Sequence, residues 1–305
     1  MKRIITYWVI VLFFGVLWGC ASPGNNLVPP TVVLRDIANM ERIAKGEVIE
    51  IAEHAELFLP EGCKIPEDGE VFLTVHFHAA SWFAREEHAR RGATNPLLTY
   101  SGMEGSSRYK KPFLDRDLFR RLLDLIVQEI AKKFDRKEIR IPEVEITSFS
   151  AGYGAVREIL KSPEYVSMIR TVILADSMYA GFAEPGKGRT PNPEHIQSFV
   201  DFAPLAVRGE KTFVITCSSG VPATYASTWE CAHALIKELG GEMTKVDPNA
   251  YPSAAPWLDY PLIERYDAGG LHVWIYGGDD PKAHMAQART LADIWAVIEP
   301  YGRAD

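Results

Sequence analysis

Val144-Glu145-Ile146-Thr147-Ser148-Phe149-Ser150-Ala151-Gly152-Tyr153-Gly154, running on into Ala155-Val156-Arg157-Glu158-Ile159-Leu160, joins two periodicities across one serine. Residues 144–148 mix β-branched and polar side chains in a short run, as a strand does, whereas 155–160 space apolar residues as a helix does. A sharp strand-to-helix turn lifts a hydroxyl clear of the sheet and tolerates only small residues two positions before and two after it. Ser148 and Gly152 stand at those positions. The helix start behind Ser150 also leaves backbone N–H groups without intrahelical partners, so the N–H of Ala151 is placed to hold a developing oxyanion. Ser-x-Ser-x-Gly by itself also describes many ordinary glycine turns, and its meaning depends on the rest of the chain.

On either side the same alternation continues. Residues 71–77 form an apolar run ending in His76-Phe77-His78-Ala79, and strand spacing predicts that His76 and His78 project together at its end. Residues 168–175 read as a buried strand ending at Asp176, and 212–216 and 271–276 as two more, the last followed by a turn with Asp279 and Asp280. Between them, 115–134 carries Leu118, Leu122, Leu125, Ile126 and Ile130 at helical spacing, and 195–207 and 283–298 read as helices. Ser227-Thr228-Trp229-Glu230 is a capping box opening a helix to 239. Ahead of these, 32–43 reads as a short amphipathic helix, 47–51 and 55–60 as an antiparallel pair, and 92–111 as a long loop. Strands alternating with helices predict an α/β domain over 32–305, with a mostly parallel sheet covered on both faces. Ligands of such sheets gather at the carboxyl ends of the strands, where His76, His78, Ser150, Asp176, Cys217 and Asp279 fall, with His284 just beyond the last.

With 305 residues, 47% of them hydrophobic, the chain has apolar material for one large core. A net charge of −7 and the lack of a dense Lys/Arg cluster argue against a nucleic-acid partner. Lys2 and Arg3 precede the apolar run 4–18, long enough for a signal-peptide core and short for a membrane span. Its end, Leu17-Trp18-Gly19-Cys20, resembles the lipobox of bacterial lipoproteins, although Trp18 stands where a small residue is usual. That resemblance implies a signal peptide over 1–20, lipidation of Cys20 and anchoring in the cell envelope, with 21–31 as a Pro/Gly/Asn-rich tether. An uncleaved anchor or an ordinary signal peptide is the alternative. Cys63, Cys217 and Cys231 remain, an odd number without Cys-x-x-Cys spacing, which reads as buried free thiols, with a Cys217–Cys231 pair as the other possibility.

Acyl transfer needs a nucleophile, a base within hydrogen-bond reach and an acid that orients the base. Ser150, Asp176 and His284 supply these in the order nucleophile, acid, histidine, and the serine turn resembles the nucleophile elbow of the α/β-hydrolases. The resemblance covers the chain from about residue 71 onward. It implies Ser150 as nucleophile, Ala151 as an oxyanion donor, His284 as base, and no cofactor. His76-Phe77-His78-Ala79 matches the family's His-Gly loop only in part, because Ala79 stands where Gly is common; His78 and Ala79 are the residues from which a second oxyanion donor is expected. Many family members carry the acid after the strand that here ends at Cys217, yet 218–228 contains no Asp or Glu; a minority carry it one strand earlier, where Asp176 lies. Asp279 and Asp280 are the competing acids.

The expected activity is a serine-dependent carboxylic ester hydrolase acting on a small-molecule or polymer ester. Two other classes stay open: a metal-dependent hydrolase built on His76 and His78, with His88 near in sequence, and a catalytically silent hydrolase fold serving as an envelope binding protein. Trp82, Trp229, Trp257, Tyr100 and Tyr251 could wall a sugar or aryl site or simply pack at edges, and carry no assignment.

Overall fold

The runs of β-branched and apolar residues become the strands of one central sheet, and the segments with helical spacing become its two covering layers. The structure, a computed structural model, describes residues 27–247, 250 and 259–298. Residues 1–26, with the expected signal peptide and Cys20, lie outside the described residues, as do Tyr251 and Trp257.

The elements run β1 (Val32–Val33), β2 (Gly46–Ala52), β3 (Ala55–Pro60), β4 (Leu73–Phe77), α1 (Ser81–Arg90), β5 (Leu97–Tyr100), α2 (Ser106–Phe113) and α3 (Leu118–Phe134). Next come β6 (Val144–Phe149), a 3-10 turn (Ser150–Gly152), α4 (Tyr153–Ile159), α5 (Pro163–Met168), β7 (Ile169–Ala175), α6 (Pro193–Val207), β8 (Thr212–Ser218) and α7 (Thr228–Glu238). The remainder is β9 (Thr244–Lys245), β10 (Asp259–Tyr260), β11 (Leu262–Ala268), β12 (Leu271–Tyr276), α8 (Pro281–Ala288) and α9 (Leu291–Ile298).

Strand order in the main sheet is β2-β3-β5-β4-β6-β7-β8-β12-β11-β9, and β1 pairs separately with β10. From β5 to β12 every neighbour is parallel, whereas β2, β3 and β5 pair antiparallel at one edge and β12, β11 and β9 at the other. Leu73, Val75, Ile146, Val172 and Ile215 face one layer with Phe113, Ile126, Val156, Phe202 and Leu235 from α2, α3, α4, α6 and α7. Ile173, Val214 and Trp274 face the other, against Phe83 of α1, Ala286 of α8 and Ile294 and Trp295 of α9. Each large apolar side chain so buried contributes about 1.5–3 kcal/mol against leaving it in water. A mostly parallel sheet in this order, with a strand, tight turn and helix at its centre, is the α/β-hydrolase fold.

Three local expectations are corrected. Residues 32–43 form a strand and irregular chain rather than a helix, since Val32 is held in the ladder with Tyr260. The stretch 92–111 contains β5 and most of α2, because Leu97–Tyr100 slots between β3 and β4, where all four side chains are buried. A strand that the sequence pattern does not mark, the charged segment Leu262–Ala268, folds onto β12 through the Gly269-Gly270 turn. The closing helix is two, broken at Arg289 and Thr290, where the Ala292 N–H donates to the buried Glu87 carboxylate at 3.0 Å. At the near end of the expected tether, Leu27, Pro29 and Pro30 are buried, and Tyr276 donates to the Pro30 carbonyl at 2.8 Å. Cys63, Cys217 and Cys231 are free thiols. Among the described residues no helix is long and apolar enough to cross a membrane.

Candidate active site

At the centre of the sheet β6 delivers Ser150 into a tight turn. Phe149 is extended (φ −119°, ψ 143°), and Ser150 then takes φ +46°, a left-handed conformation that a non-glycine residue adopts only when its surroundings impose it. The small neighbours have separate reasons. A Cβ on Gly152 would lie 2.4 Å from the Phe77 carbonyl oxygen on β4, so nothing larger fits. Ser148 is fully buried, and its hydroxyl exchanges a 2.8 Å hydrogen bond with Ser177, whose own Oγ donates to the Ser150 carbonyl at 2.8 Å. The turn is thus held from beneath by two serines.

Asp176 follows β7 in a second left-handed turn, φ +43°. The structure brings it to His284, which starts from α8: Nδ1 lies 2.9 Å from Asp176 Oδ2. That oxygen also accepts from Ser218 Oγ at 2.7 Å and lies 3.4 Å from the Ser218 N–H, while Oδ1 accepts from Tyr179 Oη at 3.0 Å. Burial alone pushes the Asp176 carboxyl up, but the hydrogen bond and charge of His284 and the hydrogen bonds of Ser218 and Thr228 together hold it below the usual carboxylate value. Asp176 is therefore a buried carboxylate with donors on both oxygens. The competing acids are placed otherwise: Asp280 Oδ1 caps α8 by accepting from the Ala283 N–H at 2.7 Å, and Asp279 is exposed on the same turn.

The His284 ring stacks on Phe149, centroids 4.6 Å apart, and Phe149 stacks in turn on His78 at 5.9 Å. His78 and Ala79 are both left-handed, φ +72° and +63°, so the chain turns sharply off β4 without the glycine the resemblance leads one to expect. The His78 N–H donates to the Tyr100 carbonyl at 3.1 Å. Of the expected oxyanion donors, His78 thus gives its backbone N–H to β5. Ala151 belongs to the first turn after Ser150, and the leading N–H groups of a helix have no intrahelical acceptor.

His76 and His78 do not act as a pair. His76 Nδ1 is 2.7 Å from Thr147 Oγ1 inside the sheet, and burial pushes that imidazole down to about 4. His78 Nδ1 is 3.0 Å from Tyr109 Oη, and His88 Nε2 is 2.8 Å from the Asn95 carbonyl oxygen. Among the described residues no three His, Cys, Asp or Glu side chains gather as a metal would require.

Ser150, Ala151, Asp176, His284 and His78 line one cavity of about 820 Å³, with Tyr153, Tyr179, Tyr225, Val221 and Pro222 as its apolar wall. Tyr179 and Ser218 are the contributors that sequence reasoning missed. Such a site can abstract a proton from a hydroxyl, stabilise the resulting imidazolium, and hold an oxyanion at a helix start.

No protein-family model matches the chain, and no curated protein matches it. Solved structures do. It is similar to a feruloyl esterase module from Clostridium thermocellum, solved with sinapinate, at 9% identity and TM-score 0.49 over 91% of this chain and 95% of that one. A poly(3-hydroxybutyrate) depolymerase from Bordetella parapertussis is 14% identical, with TM-score 0.45 over 79% of this chain and 82% of that one. An esterase from Pyrobaculum calidifontis is 12% identical, with TM-score 0.38 over 80% and 81% of the two chains.

Proposed function

We propose that this chain is a serine-dependent carboxylic ester hydrolase. The observation that carries the reading is the 2.9 Å contact between His284 Nδ1 and the buried Asp176 carboxylate, in the cavity that Ser150 also lines. With Nδ1–H given to Asp176, the free lone pair of His284 lies on Nε2. It takes the Ser150 hydroxyl proton as Oγ attacks the acyl carbon. The carbonyl oxygen becomes an oxyanion facing the N–H groups of Ala151 and Ala79. Collapse breaks the bond to the alcohol oxygen, which leaves with the proton from His284. Water, deprotonated by His284, then attacks the acyl-serine ester; the acid departs and Ser150 recovers its proton. Atoms and charges balance without a cofactor.

A fluorophosphonate probe should label Ser150, because only an activated serine reacts readily, and Ser150→Ala should lose both labelling and turnover of p-nitrophenyl acetate while keeping its thermal melting. Turnover unchanged in that variant would remove the assignment, and a wild-type protein that neither labels nor turns over would fit a silent binding protein. Zinc in the purified protein with chelator-sensitive activity would instead favour the metal reading. The charged start and apolar run 2–18 ahead of Cys20 support an envelope-anchored lipoprotein. Incorporation of labelled palmitate, lost in Cys20→Ala, is the matching experiment, and absence of label in the wild type would refute it.

A further inference from the structure

We propose that Tyr179 is a positioning residue whose phenolic hydroxyl orients His284 and tempers the charge that Asp176 presents to it. This deepens the reading of the same site given above and rests on it for its catalytic consequence.

The hydroxyl lies between the two groups, 3.0 Å from Asp176 Oδ1 and 3.4 Å from His284 Nδ1. Tyr179 is one short turn downstream of the acid, because the left-handed Asp176 folds the chain back over its own carboxylate. Burial and the neighbouring Asp176 charge push the phenol well above its ordinary value, so Oη carries its proton throughout the working range. One proton cannot be given twice. Donated to Oδ1, it leaves Oη only lone pairs to turn towards Nδ1, so both Asp176 and Tyr179 face that nitrogen as acceptors. The arrangement selects the tautomer with Nδ1–H and leaves Nε2 as the base.

The ring cannot easily leave this position. It packs against Tyr153, centroids 5.6 Å apart at 59°, and edge-on against Tyr225 at 5.5 Å and 85°. Tyr179 also donates to Oδ1, whereas Ser218 Oγ and His284 address Oδ2. A donor on Oδ1 draws negative charge away from the side that meets His284. Removing it makes the carboxylate a stronger partner for imidazolium, so His284 should hold its proton to higher pH.

Other groups also face His284: His78 from the turn after β4, the Phe149 ring, Ser218 at the end of β8, and Asp279 and Asp280 on the turn before α8. Tyr179→Phe leaves all of these in place and keeps the ring, deleting one oxygen.

The test follows the His284 ring protons by NMR against pH, assigned by their loss in His284→Gln, in parallel with the pH dependence of kcat/KM. In Tyr179→Phe both the ring titration and the acid limb should move to higher pH by about 0.5–1 unit, with kcat on the plateau down about 3- to 10-fold and KM within about 2-fold. 3-Fluorotyrosine placed at position 179 keeps ring and hydroxyl but strengthens the donor, and should move the ring titration to lower pH. Opposite shifts support the proposal, since a purely structural role does not predict a change of sign. A His284 titration unmoved in either protein overturns it. The NMR readout needs no turnover, so a wild-type protein inert to fluorophosphonate would refute the hydrolase reading while the Tyr179 coupling is still decided.

Discussion

Asp176→Asn separates two jobs of the acid, supplying charge and fixing a tautomer. In the wild type Oδ2 meets Ser218 Oγ at 2.7 Å and His284 Nδ1 at 2.9 Å, whereas Oδ1 meets Tyr179 Oη at 3.0 Å. An asparagine at 176 should put its oxygen at the Oδ2 position. The reverse flip would aim an amide N–H at both His284 Nδ1–H and the Ser218 N–H. In the favoured flip the amide nitrogen donates to Tyr179, whose oxygen can accept, and His284 keeps Nδ1–H. The variant thus loses charge and retains the tautomer. The loss is felt when His284 becomes imidazolium, and two unit charges about 4 Å apart interact by about 4 kcal/mol at an effective dielectric of about 20. That corresponds to a fall of roughly a thousandfold in kcat/KM. KM should change little, because the imidazole is neutral before attack. The assay is p-nitrophenyl acetate turnover on the plateau of the pH profile, with the rate of fluorophosphonate labelling as a second measure. Activity within about tenfold of wild type in a protein that melts normally would refute the electrostatic role given to Asp176.

Gly152→Ala should destabilise the fold, because its Cβ would sit 2.4 Å from the Phe77 carbonyl oxygen and 2.8 Å from the Phe77 carbonyl carbon. Overpacking of this kind costs about 1–3 kcal/mol, and at roughly 2–4 °C per kcal/mol the melting temperature should fall by several degrees, with turnover lost as the serine turn and the His78 turn are pushed apart. An unchanged melt would show that β4 yields more easily than the close approach implies. Glu87 provides a pH prediction: burial foremost, opposed by the Ala292 N–H and Arg35, pushes its carboxyl up to about 8. A carboxyl whose folded value exceeds its unfolded one contributes stability that is fully present below the unfolded value, near 4.3, and is lost as pH rises through the folded one. Melting temperature should therefore decline from weakly acidic conditions to beyond about 8, and Glu87→Gln should flatten that decline; identical slopes in the two proteins would contradict the burial argument.

The sequence signalled the centre of the fold more clearly than its edges, for reasons that particular residues illustrate. β6, the serine turn and α4 were legible because periodicity changes abruptly there and small residues mark the change. β5 was not: its Leu-Leu-Thr-Tyr core is four residues long and stands among Asn-Pro and Ser-Gly punctuation, and only its place between β3 and β4 makes it a strand. That omission also hid a feature of the site, since the His78 N–H is taken by Tyr100 of the same β5. β11 was obscured by Glu264, Arg265 and Asp267, which are tolerable in a strand paired outside the parallel core. Asp176 could be placed at a strand end and matched to His284, 108 residues away, only through chain order and the family resemblance and in competition with Asp279 and Asp280, because strand order decides that distance. Tyr179 belongs to no motif; an aromatic hydroxyl just after the candidate acid was its only signal.

The position of the acid has its own structural logic. His284 follows β12 and Asp176 follows β7, and β8 lies between those strands, so the two side chains meet over the end of β8. Two strand spacings separate their backbones by about 9–10 Å, a gap that an aspartate and a histidine can close only if nothing bulky rises between them. Ser218, the last residue of β8, meets that condition and does more, since its hydroxyl donates to the very oxygen that faces His284. The Asp176 N–H donates to the Thr216 carbonyl at 2.7 Å, which fixes the acid's turn to β8 as well. A carboxylate on β8 itself would need only one strand spacing to reach the histidine. Carried one strand farther, the acid requires a small polar residue at the end of β8 and a turn that bends the chain inward, and Ser218 and the left-handed Asp176 meet those two requirements.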